Sequence, residues 1–183
     1  MAASFWSRLA DDALLDVLRT MLTECRARPA SCPHVLVLSL GTHVLTTPQP
    51  SFDACLLAEV AGIERAAAVL QQLAAVGVRV FWKLSEPENY EHMMDIASSV
   101  NFAHLIYNAL ITDRLEQVAP SVRLWSSVLP PVANYIVRCR LDEAWRRQPK
   151  ESPLWNCRDH LHYGDVVQDQ YRNVLQRYLC AQM

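Results

Sequence analysis

Two short clusters of polar residues contain the side-chain types that catalyse acyl transfer. The first is Asp159-His160-Leu161-His162, in which a carboxylate and an imidazole are three residues apart. In a loop, the Asp159 carboxylate could accept a hydrogen bond from Nδ1 of His162 and leave Nε2 free to take a proton from a serine hydroxyl. His162 would then be the general base and later the general acid. Asp159 would orient the ring and stabilise the imidazolium.

The second cluster is Gly41-Thr42-His43. The backbone N–H of Gly41 and a ring N–H of His43 could point at an oxygen that becomes negative in a transition state, which makes both residues oxyanion candidates. The alternative is a turn at the end of a strand with a hydrogen-bonded histidine. For the first cluster, the alternative is a loop before the last helix, with Asp165 as the helix N-cap and with exposed histidines.

A metal site is a third interpretation of the same residues. Its donors would be His43, Cys157, Asp159, His160 and His162. Their spacings match no standard zinc pattern, so we predict no metal here.

Strands that alternate with helices would position these clusters. Short apolar runs predict buried strands at 35–40, 78–84 and 122–125. Helical periodicity and alanine- and leucine-rich segments predict helices at about 8–26, 53–75, 99–118 and 165–180, and a further helix that follows Pro130-Pro131 and runs to about Arg147. This alternation predicts a single α/β domain over residues 1–183, with a mainly parallel sheet and helices on both faces. Ligands bind beyond the carboxyl ends of the strands in such sheets.

Composition excludes several classes of protein. Hydrophobic residues make up 51% and charged residues 20% of the 183 residues, which is typical of a globular protein. The net charge of −2 gives no reason to expect nucleic acid or an anionic membrane as a partner. No run approaches the roughly 20 apolar residues of a membrane span, and the first residues do not resemble a signal peptide.

Six cysteines leave the redox compartment open, because an even count fits a disulfide-bearing lumenal domain and also six free thiols. They are Cys25, Cys32, Cys55, Cys139, Cys157 and Cys180. Cys25 and Cys32 are the only close pair, and their spacing is not that of a zinc finger.

The chain resembles the SGNH (GDSL-like) hydrolase superfamily and, within it, the PC-esterase group. The lumenal catalytic domains of sialic acid O-acetyltransferases look most similar. The similar stretches follow the family order over about residues 20–180. They are Pro33 to His43, Val80 to Pro87, Val100 to Ala109 with Tyr107-Asn108, Asp159 to His162, and Tyr178-Leu179-Cys180.

The resemblance implies a three-layer SGNH, or flavodoxin-like, fold in which Gly41 contributes to an oxyanion hole and Asp159 and His162 are catalytic. It implies acyl-ester chemistry on a carbohydrate, as an O-acetyltransferase or O-acetyl esterase. No cofactor is implied, except acetyl-CoA as the acyl donor of a transferase. A Golgi or other secretory-pathway lumen with disulfides is also implied, although no targeting segment is found, and Cys25–Cys180 is a bridge to test.

The sequence departs from the family pattern in three places. His43 stands where most members have Asn, and His160 stands where Gly usually follows the Asp. The family nucleophile is a Ser in a Gly-Asp-Ser block after the first strand, whereas Ser4 and Ser7 follow neither a strand nor Gly-Asp. We therefore expect the chain to correspond to the C-terminal two-thirds of the family domain and to be inactive alone. The alternative is a truncated or pseudoenzyme domain that binds without catalysis.

A domain that lacks its first strand would leave one edge of its sheet open. Such an edge exposes unpaired backbone groups and apolar surface. The strand beginning at Val35 and the strand beginning at Val78 are the two candidates for this edge.

Overall fold

The computed structural model describes residues 12–40, 52–89, 94–141, 154–157, 159 and 162–180. The helices are α1 (Asp12–Ala27), α2 (Phe52–Ala75), α3 (Met94–Val118), α4 (Leu129–Leu141) and α5 (Asp165–Cys180). The strands are β1 (Val35–Leu38), β2 (Arg79–Lys83) and β3 (Arg123–Trp125), and Pro29–Ser31 forms a short 3-10 turn. The predicted α/β class is thus confirmed. Within the described ranges, no helix is long and apolar enough to cross a membrane.

The three strands form one parallel sheet in the order β1-β2-β3, flanked by helices. Leu36 pairs with Val80, and Trp82 pairs with Leu124. Because β2 is hydrogen-bonded on both sides, the strand near Val78 is not an edge, and that candidate was wrong. In the described part of the sheet, β1 and β3 are the outer strands, which agrees with an edge at the Val35 strand.

Gly77 ends α2 and determines where β2 begins. Its φ of +95° is in the left-handed region, which glycine adopts without a steric penalty. Gly77 N–H donates to the Ala74 carbonyl and Val78 N–H donates to the Leu73 carbonyl, each at 3.0 Å. This pair of bonds satisfies two carbonyls at the helix end. Val78 N–H is therefore not available to the sheet, and β2 starts at Arg79, one residue later than predicted.

Two predicted helix starts were wrong. Helix α4 begins at Leu129, so that Pro130 and Pro131 lie in its first turn instead of before it. Proline is tolerated there because the first N–H groups of a helix have no intrahelical partner. Helix α3 begins at Met94 and not near residue 99. The predicted extension of α4 to about Arg147 falls outside the described residues.

The chain divides into two compact units, each with its own core. The first comprises residues 1–85 and 103–125 and contains the sheet, and the second comprises residues 86–102 and 126–183. The largest fully buried apolar side chains of the first unit are Leu18, Ile63, Leu70, Leu73, Trp82, Tyr107, Ile111 and Leu115. Buried side chains of the second unit include Val128, Val132, Tyr135, Cys139 and Val167.

Among the described side chains, four cysteines form two disulfides, one in each unit. Cys25 is bonded to Cys32, and Cys139 is bonded to Cys157. Cys180 is a free, exposed thiol, so the structure does not contain the Cys25–Cys180 bridge that the sequence analysis left to be tested. The physical reason is local, since the 3-10 turn after α1 brings Cys32 back toward the end of that helix.

Polar side chains of α3 hold the segment that follows β2. In the first unit, Asn108 accepts from the Ser85 N–H and donates to the Ser85 carbonyl, both at 2.8 Å. The Ser85 hydroxyl lies 2.7 Å from Nδ1 of His104. In the second unit, Asn101 accepts from the Glu88 N–H at 2.8 Å and donates to the Glu88 carbonyl at 3.2 Å. The asparagine amides thereby pair backbone groups that would otherwise be buried without partners.

Candidate functional site

Asp159 and His162 meet in the loop before α5. Oδ2 of Asp159 lies 3.0 Å from Nδ1 of His162, and Oδ1 accepts the His162 backbone N–H at 3.0 Å. An ionised carboxylate can only accept, so the proton of the neutral imidazole is on Nδ1 and Nε2 is an acceptor. The His162 side chain is 75% exposed and that of Asp159 is 23% exposed. Among the described residues, none is hydrogen-bonded to Nε2.

Asn156 closes the loop that carries this pair. Its backbone carbonyl accepts the Asp159 N–H at 3.1 Å, and its Nδ2 donates to the His162 carbonyl at 3.1 Å. Asn and Asp side chains commonly bond nearby backbone groups in turns, which is why this spacing of three residues folds locally. The Asp159 N–H is therefore held by a backbone carbonyl of the loop, and the His162 carbonyl is held by a side chain of the loop.

Tyr135 of α4 lies under both ends of the same loop. Its hydroxyl accepts the Gly164 N–H at 3.2 Å. Trp155 stacks on the Tyr135 ring with centroids 5.0 Å apart, and Tyr163 meets it edge-on at 5.6 Å. The pKa of Tyr135 is raised, chiefly by burial, although the backbone of Gly164 and Asn156 opposes this effect. The phenol is therefore neutral at ordinary pH.

A disulfide anchors the loop two residues before Asp159. Cys157 is bonded to Cys139 of α4, and both residues are buried. The Cys157 carbonyl also accepts a hydrogen bond from Nδ2 of Asn89 at 2.9 Å. Because a disulfide sulfur is not a thiolate, Cys157 cannot ligate a metal, and the metal interpretation was wrong for this residue. No cluster of three or more metal-ligating side chains is found in the part of the chain that the structure describes.

Two tyrosines connect the loop and α5 to the segment that follows β2. The Tyr163 hydroxyl donates to the Pro87 carbonyl, and the Tyr171 hydroxyl donates to the Glu86 carboxylate. Burial and, next, the charge of Glu86 raise the pKa of both tyrosines well above its ordinary value. Both phenols thus remain hydrogen-bond donors at physiological pH.

Gly164 is required because the backbone of the loop passes directly against it. A Cβ at this position would lie 2.1 Å from the Leu154 carbonyl oxygen and 2.8 Å from the Trp155 nitrogen. The Gly164 carbonyl accepts the Val167 N–H at 3.0 Å, which makes Gly164 the N-cap of α5. Asp165, the N-cap in the alternative interpretation, is instead the first helical residue, where its negative charge suits the positive end of the helix dipole.

The remaining predicted site residues fall outside the described part of the chain. They are the oxyanion candidates Gly41 and His43, together with His160 and the two N-terminal serines. The oxyanion site and the catalytic roles of Asp159 and His162 therefore stay predictions. The geometry adds one observation, which is the contact between the Asp159 and His162 side chains.

The sequence patterns did not single out Asn156, Tyr135 or Asn89. Asn156 could have been found only as a residue type common in turns, because its side chain bonds the His162 carbonyl six residues later. No sequence pattern near Tyr135 or Asn89 indicates that these residues contact the loop. Tyr135 is 29 residues from its partner Gly164, and Asn89 is 68 residues from Cys157.

Comparisons of the chain with protein-family models, with curated proteins and with solved structures find no match.

Proposed function

We propose that Asp159 and His162 are the acid/base pair of an SGNH-type acyl-ester site of the PC-esterase group, which acts on an O-acyl ester of a sugar or glycan. The observation that carries this proposal is the 3.0 Å contact between Asp159 Oδ2 and Nδ1 of an exposed His162. An imidazole oriented in this way can take the proton of an attacking hydroxyl through Nε2 and return it to the leaving alcohol. Asp159 stabilises the imidazolium between these steps.

The α/β architecture supports the proposed three-layer SGNH, or flavodoxin-like, arrangement. Gly41 follows β1 closely in the sequence, and ligands of parallel sheets bind beyond the carboxyl ends of the strands. We assign the Gly41 N–H, with His43 beside it, to the oxyanion site. The two disulfides support a lumenal, oxidising location, as the family resemblance implies.

A serine within reach of His162 must supply the nucleophile. Hydrolysis and transfer then differ only in whether water or a sugar hydroxyl attacks the acyl-serine, with acetyl-CoA as a possible donor for transfer. Since no described residue is hydrogen-bonded to Nε2 of His162, we propose that this chain alone does not turn over esters. The same observation favours a second candidate function, which is binding of acylated sugars without catalysis.

Titration of the 15N-labelled chain with an O-acetylated sugar tests both candidate functions. We expect the ring-nitrogen signals of His162 to move on addition of the acetylated sugar, with at least about tenfold weaker binding of the deacetylated parent. The variant His34→Ala, which removes an exposed histidine of the first unit, is the matched control and should bind equally well. If saturating acetylated sugar left the His162 signals in place, the acyl-ester site would be ruled out.

Hydrolysis of p-nitrophenyl acetate separates catalysis from binding. We expect equal rates for the unmodified chain, His162→Ala and His34→Ala, because no described residue offers a hydroxyl hydrogen-bonded to Nε2 of His162. Turnover that is lost in His162→Ala and retained in His34→Ala would show that the chain is an enzyme by itself. In that case His162 would still be its base, but binding without catalysis would be excluded.

A further inference from the structure

The Asp159–His162 contact has one exposed member, since the Asp159 side chain is 23% exposed but the imidazole lies largely in water. The imidazole is 75% exposed, and exposed ion pairs contribute little stability. A base that is ready to accept a proton nevertheless has to be held in one orientation before the reaction starts. Part of this constraint comes from the backbone that carries the two side chains, since Oδ1 of Asp159 also holds the His162 N–H.

Asn156 is bonded to both members of the pair at once. Its carbonyl holds the Asp159 backbone N–H at 3.1 Å, and its side-chain Nδ2 holds the His162 backbone carbonyl at 3.1 Å. Asn156 is itself held between two anchored neighbours, because Trp155 stacks on the buried Tyr135 ring and Cys157 is in a disulfide. The core of the second unit thus holds Asn156, and Asn156 holds the backbone of both Asp159 and His162.

We propose that Asn156 is a positioning residue whose side-chain amide fixes the backbone of His162, so that Nδ1 stays on the Asp159 carboxylate and Nε2 stays unprotonated. The inference rests on the function proposed above, since it assigns a role to the pair. The Asn156 side chain acts through the backbone, because its Nδ2 donates to the His162 carbonyl.

The isosteric variant Asn156→Asp tests this role, since it replaces the Nδ2 donor with an oxygen that repels the His162 carbonyl. Asn173→Asp, on an exposed face of α5, is the matched control for the added charge. Long-range 1H–15N spectra, recorded without ligand at about pH 9, where free histidine is neutral, give the proton position on the His162 ring. We expect the Nδ1–H form to fall from nearly complete to about half in Asn156→Asp and to be unchanged in Asn173→Asp.

Asn156→Ala provides a second variant and should give the same change in the His162 ring. An unchanged Nδ1–H form in both Asn156 variants, with the fold retained, would overturn the proposal. Loss of the fold in both would also overturn it, because the amide would then support the whole unit and not the pair. Failure of acetylated sugar to bind, with the tautomer shifts as expected, would count against the proposed function alone.

Discussion

Tyr135 supports the loop both through its ring and through its hydroxyl, and substitution by phenylalanine separates the two. Tyr135→Phe retains the surfaces that meet Trp155 and Tyr163 but leaves the Gly164 N–H without its partner. A buried donor left unpaired costs about 1–3 kcal/mol. We therefore expect the free energy of unfolding, measured by urea denaturation, to fall by about that amount.

Tyr135→Ala serves as the comparison, because it also removes the aromatic contacts. Truncation of a buried aromatic side chain costs about 3–5 kcal/mol, so this variant should be clearly less stable than Tyr135→Phe. Equal stability of Tyr135→Phe and the unmodified chain would show that the hydroxyl does not hold the loop.

At the scale of elements, the two disulfides should differ in their effect on the site. Cys139–Cys157 joins α4 to the loop and spans 18 residues, whereas Cys25–Cys32 spans 7 residues in the other unit. Loop-closure entropy predicts a stabilisation of about 3 kcal/mol for a loop of roughly 15 residues and less for a shorter one. We expect the double variant Cys139→Ala/Cys157→Ala to lose about 3 kcal/mol and to disturb the ring signals of His162.

The double variant Cys25→Ala/Cys32→Ala is the matched control, with a smaller loss and an unchanged His162 spectrum. Peptide mass spectrometry without reduction should first confirm both bridges in the unmodified chain. If the two double variants changed the His162 signals equally, the bridge beside Asp159 would have no specific link to the site.

At the scale of the whole molecule, buried tyrosines make the fold sensitive to alkali. The pKa is raised, mainly by burial, for Tyr107 in the first unit and for Tyr135, Tyr163 and Tyr171 in the second. Tyrosines of the unfolded chain ionise near pH 10, whereas these four keep their protons to higher pH when folded. The unfolded state therefore binds fewer protons above about pH 10, and stability falls as pH rises through this value toward the folded-state pKa values.

Urea denaturation at a series of pH values tests this dependence. Below about pH 9 the four tyrosines should contribute no slope, and above about pH 10 each should reduce the unfolding free energy by up to about 1.4 kcal/mol per pH unit. Tyr171→Phe should make the slope shallower. Tyrosinate absorbance that rises fully near pH 10 while circular dichroism shows an intact fold would contradict the prediction.

The sequence by itself determined the α/β alternation and the contact between Asp159 and His162. Both are consequences of local spacing, since apolar periodicity distinguishes strands from helices and a polar side chain in a turn reaches the backbone three residues away. The end of α2 at Gly77 was predictable for the same reason, because glycine alone adopts φ of +95° without strain. The start of α4 was misplaced because prolines fit equally well before a helix and in its first turn.

Only the tertiary structure decided what holds the pair in place. Six cysteines permit many pairings. In the folded chain Cys139 is the partner of Cys157, and Cys180 is free. Tyr135 and Asn89 reach the loop from 29 and 68 residues away. Contacts of this kind depend on which distant segments are buried against each other, and no spacing within the loop carries that information. The loop thus shows which two side chains form the pair, while the fold around it sets how firmly they are held.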